Sequence, residues 1–144
     1  MTFLTPCFVR VEDPAEREKL IEWLEGIGYI FNDCFIGARQ CAVSKYLKNF
    51  YVIAGDPHIS RMCNAYGVKP EYGNYIDCGT SVDLFRALAT MNDENDRDQW
   101  FVVDDGFQEE MVCSKSDVDY DYILSSYDHR KATAEEIVEY FKKK

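Results

Sequence analysis

The chain has 144 residues, 47% of them apolar and 15% aromatic, with 26 acids against 16 Lys and Arg for a net charge of −10. That is ample apolar material for one globular core and far too aromatic for a disordered chain. The longest apolar runs, such as Phe50–Ala54 and Trp100–Val103, are much too short to span a bilayer.

The charge is not spread evenly. Between Asp93 and Asp128 twelve acids meet only Arg97 and Lys115, so this quarter of the chain carries the whole excess. A field of one sign disfavours direct DNA binding and favours basic proteins or cations as partners. The N-terminus, Met1-Thr2-Phe3-Leu4-Thr5-Pro6, has neither a basic start nor an apolar run, so a cytoplasmic location without membrane contact is expected.

In chain order, Cys7–Val11 reads as a strand that feeds a helix. The helix opens with an Asp13 cap, Pro14 at its first position and Glu16 three residues after the cap. Leu20, Trp23, Leu24 and Ile27 recur at helical spacing as a buried face, and Gly26 and Gly28 mark the end. Strands are expected at Tyr29–Phe31, Cys34–Ile36, Phe50–Ala54 and Tyr75–Cys78. The last feeds a second helix capped at Thr80-Ser81, with Leu84, Phe85, Leu88 and Met91 as its stripe.

Asn92–Asp98 reads as a solvated loop. Gln99–Val103 and Phe107–Cys113 form a hairpin across Asp104-Asp105-Gly106, because glycine tolerates positive φ. Asp119–Leu124 is expected to be a strand and Asp128–Lys131 a solvated connection. A third helix follows Thr133, burying Ala134, Ile137, Val138 and Phe141. The class is α+β: a single domain over residues 1–144, with a mixed or largely antiparallel sheet and about three helices packed on it.

Candidate chemistry is sparse. Cys7, Cys34, Cys41, Cys63, Cys78 and Cys113 contain no pair two to four residues apart, which argues for buried free thiols over a zinc site. No glycine-rich phosphate loop and no catalytic motif is present, and no cofactor or metal is expected. Residues 37–70 carry a positive excess interleaved with aromatics. Arg39, Lys45, Tyr46, Lys48, Tyr51, His58 and Arg61 form a candidate nucleotide or anion site there. Asp93, Glu94, Asp96, Asp98, Asp104, Asp105, Asp117, Asp119 and Asp121 form a candidate protein-binding face.

An alternative is a small metal-assisted hydrolase. It would use His58, Asp56 and the carboxylates of Asp117, Asp119 and Asp121, which a strand would place on one side. That alternation equally describes an amphipathic edge strand guarded by charge. His129 sits in the expected solvated connection. A homo-oligomer burying Trp23 or Trp100 is a further expectation.

The stretch LFRALATMNDENDRDQWFVVDDG, Leu84 to Gly106, resembles a box found in small uncharacterised proteins of bacteriophages and mobile elements. There a Leu-Phe-x-Ala-Leu-Ala helix leads through an Asn-Asp-rich loop into a Gln-Trp-Phe strand. Arg130–Ile137 is similar to the closing helix of many small phage proteins, and the two stretches cover about a quarter of the chain. The resemblance carries no assigned activity. It implies a non-enzymatic accessory protein in a bacterial cytoplasm, one that binds and sequesters or blocks a host defence factor or a small signalling nucleotide.

Overall fold

A strand that must be covered on both faces reads as a continuous apolar run, and β1 (Cys7–Val11) is of this kind: every residue except Arg10 is buried. The computed structural model describes residues 5, 7–31, 41–42, 50–54 and 76–143, with the backbone alone at 30–31, 41–42 and 50–54. β1 pairs antiparallel with β4 (Phe50–Ala54), from Cys7↔Ala54 to Val11↔Phe50, and parallel with β5 (Ile76–Asp77). β2 (Ile30–Phe31) and β3 (Cys41–Ala42) form a short parallel pair. β6 (Trp100–Asp104) lies between β7 (Glu109–Cys113) and β8 (Asp128–Lys131), antiparallel to both. The expected Cys34–Ile36 strand lies outside the described residues.

The helices start where their caps direct. α1 (Pro14–Gly26) begins as Asp13 Oδ2 accepts from the Glu16 N–H at 3.3 Å. It ends at Gly28, whose φ of +108° turns the chain so that the Tyr29 N–H reaches the Leu24 carbonyl at 3.0 Å. Its stripe is centred on Leu20, Ile21 and Leu24, which leaves Trp23 and Ile27 half-buried on the flank. α2 (Val82–Ala89) is capped by Ser81, not Thr80: the Ser81 Oγ accepts from the Leu84 N–H at 3.3 Å. α4 (Ala134–Lys142) opens with a full capping box, Thr133 Oγ1 to the Glu136 N–H at 3.2 Å and Glu136 Oε1 to the Thr133 N–H at 2.9 Å.

These elements bury one core, in which Leu24, Phe85, Leu88, Ala89 and Ile137 are completely covered. Val102 enters it from the second sheet, with Trp100, Met111 and Phe141 packed at its edge. Tyr29 crosses its base, donating to the Ala89 carbonyl at 2.9 Å. Truncating a residue such as Phe85 to Ala removes transfer energy and leaves a cavity, at a cost of about 3–5 kcal/mol. The architecture is α+β, as composition and pattern imply.

Two expectations fail here. Asp117–Leu124 is a helix, α3, and not a strand. Ser116 Oγ accepts from the Asp119 N–H at 3.2 Å, and Asp117 and Asp119 occupy the first turn, where acids favour the positive end of the helix dipole. The alternation of acid and aromatic imitates a strand, but a cap with two first-turn acids outweighs it. Asp117, Asp119 and Asp121 therefore do not form the one-sided carboxylate ladder a strand would have made. Asp128–Lys131, expected as a solvated connection, is the edge strand β8. Its exposed side chains hide a backbone fully engaged with β6.

The Asn92–Asp98 loop is more constructed than solvated. Asn92 is buried, and its Oδ1 accepts from the Glu94 and Asn95 N–H groups at 3.0 and 2.8 Å. Its backbone N–H meets the Gln99 Oε1 at 3.1 Å, and the Lys131 Nζ donates to the Asn92 and Asn95 carbonyls at 3.2 and 2.7 Å. In place of a glycine, Asp98 supplies the bend at φ +57°, a region that Asp tolerates better than most residues.

Candidate functional site

The acidic candidates converge because of how β6, β7, β8 and α3 are joined. The β6–β7 turn, Asp105–Gln108, is organised by its own carboxylates. Asp104 Oδ1 accepts from the Gly106 N–H at 2.8 Å, and Asp105 Oδ1 accepts from the Phe107 and Gln108 N–H groups at 2.8 and 2.9 Å. Those backbone donors, Gln108 first and then Phe107, hold the Asp105 carboxyl below its ordinary range. Gly106, at φ +97°, permits the turn.

At this end of the sheet the register places Asp104 opposite Glu109 on one side and Asp128 on the other. Three carboxylates thus stand in a row across three strands. Like charges directly opposite one another cost roughly 0.2–1 kcal/mol per pair. The nearest relief is Arg130, 4.0 Å from Glu109, but both of its terminal nitrogens are committed to Glu136 at 2.6 and 2.7 Å. That fork, with the Thr133 N–H behind it, lowers the Glu136 carboxyl to about 2.

α3 packs on the opposite face of this sheet from that row. Tyr122 donates to Glu110, which lifts the Tyr122 hydroxyl above its ordinary range. Glu110 is paired with Val103, so α3 covers the Phe101–Val103 side of β6, the side opposite Val102. Ile123 is completely buried, while Val118, Tyr122 and Leu124 stay exposed. Tyr120 donates to Asp96 at 3.1 Å and Arg97 donates to Asp117, joining α3 to the Asn92–Asp98 loop. Partial burial first, and then the Asp96 bond, push the Tyr120 hydroxyl up. Lys131 holds Asp96 from the sheet side at 3.3 Å.

Side-chain contacts thus join loop, β7 and α3, with the carboxylate row at the far side of the sheet. Asp93, Asp98, Asp104, Asp105, Glu110, Asp119, Asp121 and Asp128 form no ion pair with any described residue. Set among them are apolar side chains that the acid count did not reveal. Phe107 is 98% exposed at the turn, Tyr127 81% and Val118 78%. An aromatic directly after a turn glycine, where polar residues are the norm, was the available signal for Phe107. Apolar surface rimmed by charge is the usual form of a protein-binding face.

The other candidates fare differently. Arg39, Lys45, Tyr46, Lys48, His58, Arg61 and Asp56 lie outside the described residues. Tyr51 is placed by its backbone opposite Arg10 in the β1–β4 pair. His129 is exposed on β8, its ring 6.1 Å from that of Phe101 in an edge-on contact. Cys7 and Cys78 are buried thiols, and burial pushes the half-buried Cys113 thiol up to about 11. Among the described residues no three His, Cys, Asp or Glu gather as metal ligands, and no helix is long and apolar enough to cross a membrane. No protein-family model, curated protein or solved structure matches the chain.

Proposed function

We propose that this protein is a non-enzymatic binder that blocks a host protein by docking onto a basic surface of it, in the manner of a phage or mobile-element accessory protein. One observation carries the reading: the exposed Phe107, Val118, Tyr122 and Tyr127 lie next to or near carboxylates in the chain, among them Asp105, Asp119, Asp121 and Asp128, that form no ion pair with a described residue. The carboxylates would steer a basic partner over a Debye length of about 8 Å, and the aromatic side chains would supply the short-range contact. The resemblance of Leu84–Gly106 to the phage box supports the host context.

The test begins with capture from bacterial lysate on the immobilised protein and identification of what is retained. The decisive step is the Kd of the purified partner at about 0.05 and 0.3 M salt. The proposal expects affinity to fall at least tenfold with salt, and to fall again in Phe107→Ala and in Asp105→Asn/Asp121→Asn. A Kd indifferent to both salt and these substitutions would remove it.

A further inference from the structure

A cleft of about 810 Å³ opens between α1, α2, the Asn92–Asp98 loop and the start of β6. Its apolar walls are Trp23, Ile27, Trp100 and Phe141. The ring of Trp100 is buttressed by Tyr140 and Phe141 at centroid distances of 5.2 and 5.6 Å. Size and lining match those of small-molecule sites.

Arg86 gives the cleft its chemistry. Its guanidinium carbon sits 5.4 Å from the centre of the Trp23 ring, a cation–π contact that orients the planar fork. The Arg86 Nε is buried with no hydrogen-bond partner, and the side chain forms no ion pair with a described residue. Arg97 lines the same cleft with its own Nε buried and unpartnered, although one terminal nitrogen holds Asp117. These Nε atoms lie out of a ligand's reach, but the terminal nitrogens of Arg86 are not buried and donate to no described residue, so an acceptor entering the cleft would meet them. Lys115, Asp83 and Asp98 also line the cleft, and the two acids set a limit on how much negative charge the site accepts.

We propose that this cleft binds a planar aromatic molecule carrying a single negative charge, a phosphodiester or a carboxylate. The ring would lie among Trp23, Ile27, Trp100 and Phe141, and the anionic group would meet Arg86. The inference shares the Asn92–Asp98 loop with the acidic face but rests on Arg86 and the aromatic walls, so its test is separate.

The chain contains two tryptophans and both line the cleft, so their indole N–H resonances report on it directly. Isotope-labelled full-length protein is titrated with 3′,5′-cyclic AMP, indole-3-acetate, adenosine, indole and ATP. Saturable shifts of both indole signals are expected with cyclic AMP or indole-3-acetate, and whichever binds more tightly identifies the anionic group. The uncharged adenosine and indole should bind about tenfold more weakly than their anionic counterparts, and ATP more weakly than cyclic AMP. Arg86→Lys, which keeps the charge but loses the fork, should weaken binding about tenfold. Lys19→Ala, which removes a charge on the exposed face of α1, should leave it unchanged. The proposal is overturned if no probe shifts the indoles, if neutral and anionic probes bind alike, or if Arg86→Lys binds as the native chain does.

Discussion

β1 and β6 are both central strands of three-stranded sheets, yet their surroundings follow opposite rules. Around β1 the side chains of α1 and α2 are committed to burial, and Phe85, Leu88 and Ala89 are completely covered. Around β6 the outer strands carry carboxylates in a row, and the adjoining turn and helix leave Phe107, Val118 and Tyr127 in solvent. The first region is built for stability. The second keeps features that cost stability, which natural sequences retain chiefly where a surface has a partner.

Substitutions can separate the two regions. The largest effect is expected at Phe85→Ala, which should lower unfolding free energy by about 3–5 kcal/mol in urea titration and impair the two proposed bindings only by unfolding the chain. Glu136→Gln comes next. It weakens the Arg130 fork and half of the Thr133 capping box, and a loss of about 1–2 kcal/mol is expected for this partly exposed pair.

The same pair governs acid sensitivity. Glu136 has a folded-state value lowered from 4.5 to about 2, so its stabilising contribution is complete above the unfolded value and is lost as pH falls through that window. The native chain should lose stability between pH 4.5 and 2, and Glu136→Gln should lose less over that range, as read by circular dichroism at stepped pH. Smallest of all should be Phe107→Ala, within about 0.5 kcal/mol of the native chain in stability. Its effect belongs to partner affinity. A large loss of stability at Phe107 would erase the distinction between the regions.

Much of the stable region was legible in the sequence because burial and capping act locally. Asp13-Pro14, Gly28 and Thr133-Glu136 each state their geometry within a few residues, and Cys7–Val11 is uniformly apolar apart from Arg10. The acidic region was harder to read. In Asp117–Leu124 the alternation of acid and apolar outvoted a Ser116 cap, and the exposed Asp128-His129-Arg130-Lys131 concealed an edge strand that only β6 could reveal. The acids were visible as a count, but their row across β7, β6 and β8 depends on register, which no local pattern encodes. The Trp23–Arg86 pairing joins residues far apart in sequence, so nothing in either neighbourhood announced it.

The central claim is that the acidic face is held at a cost to stability, and Asp104→Asn/Asp128→Asn tests it most directly. Both substitutions preserve the side-chain oxygens that accept from the Gly106 and His129 N–H groups, so only charge changes. In urea at low salt the variant should be more stable than the native chain by about 0.5–1 kcal/mol, and the difference should vanish near 1 M salt. A variant that is less stable at low salt, or a difference that salt leaves untouched, would contradict the account.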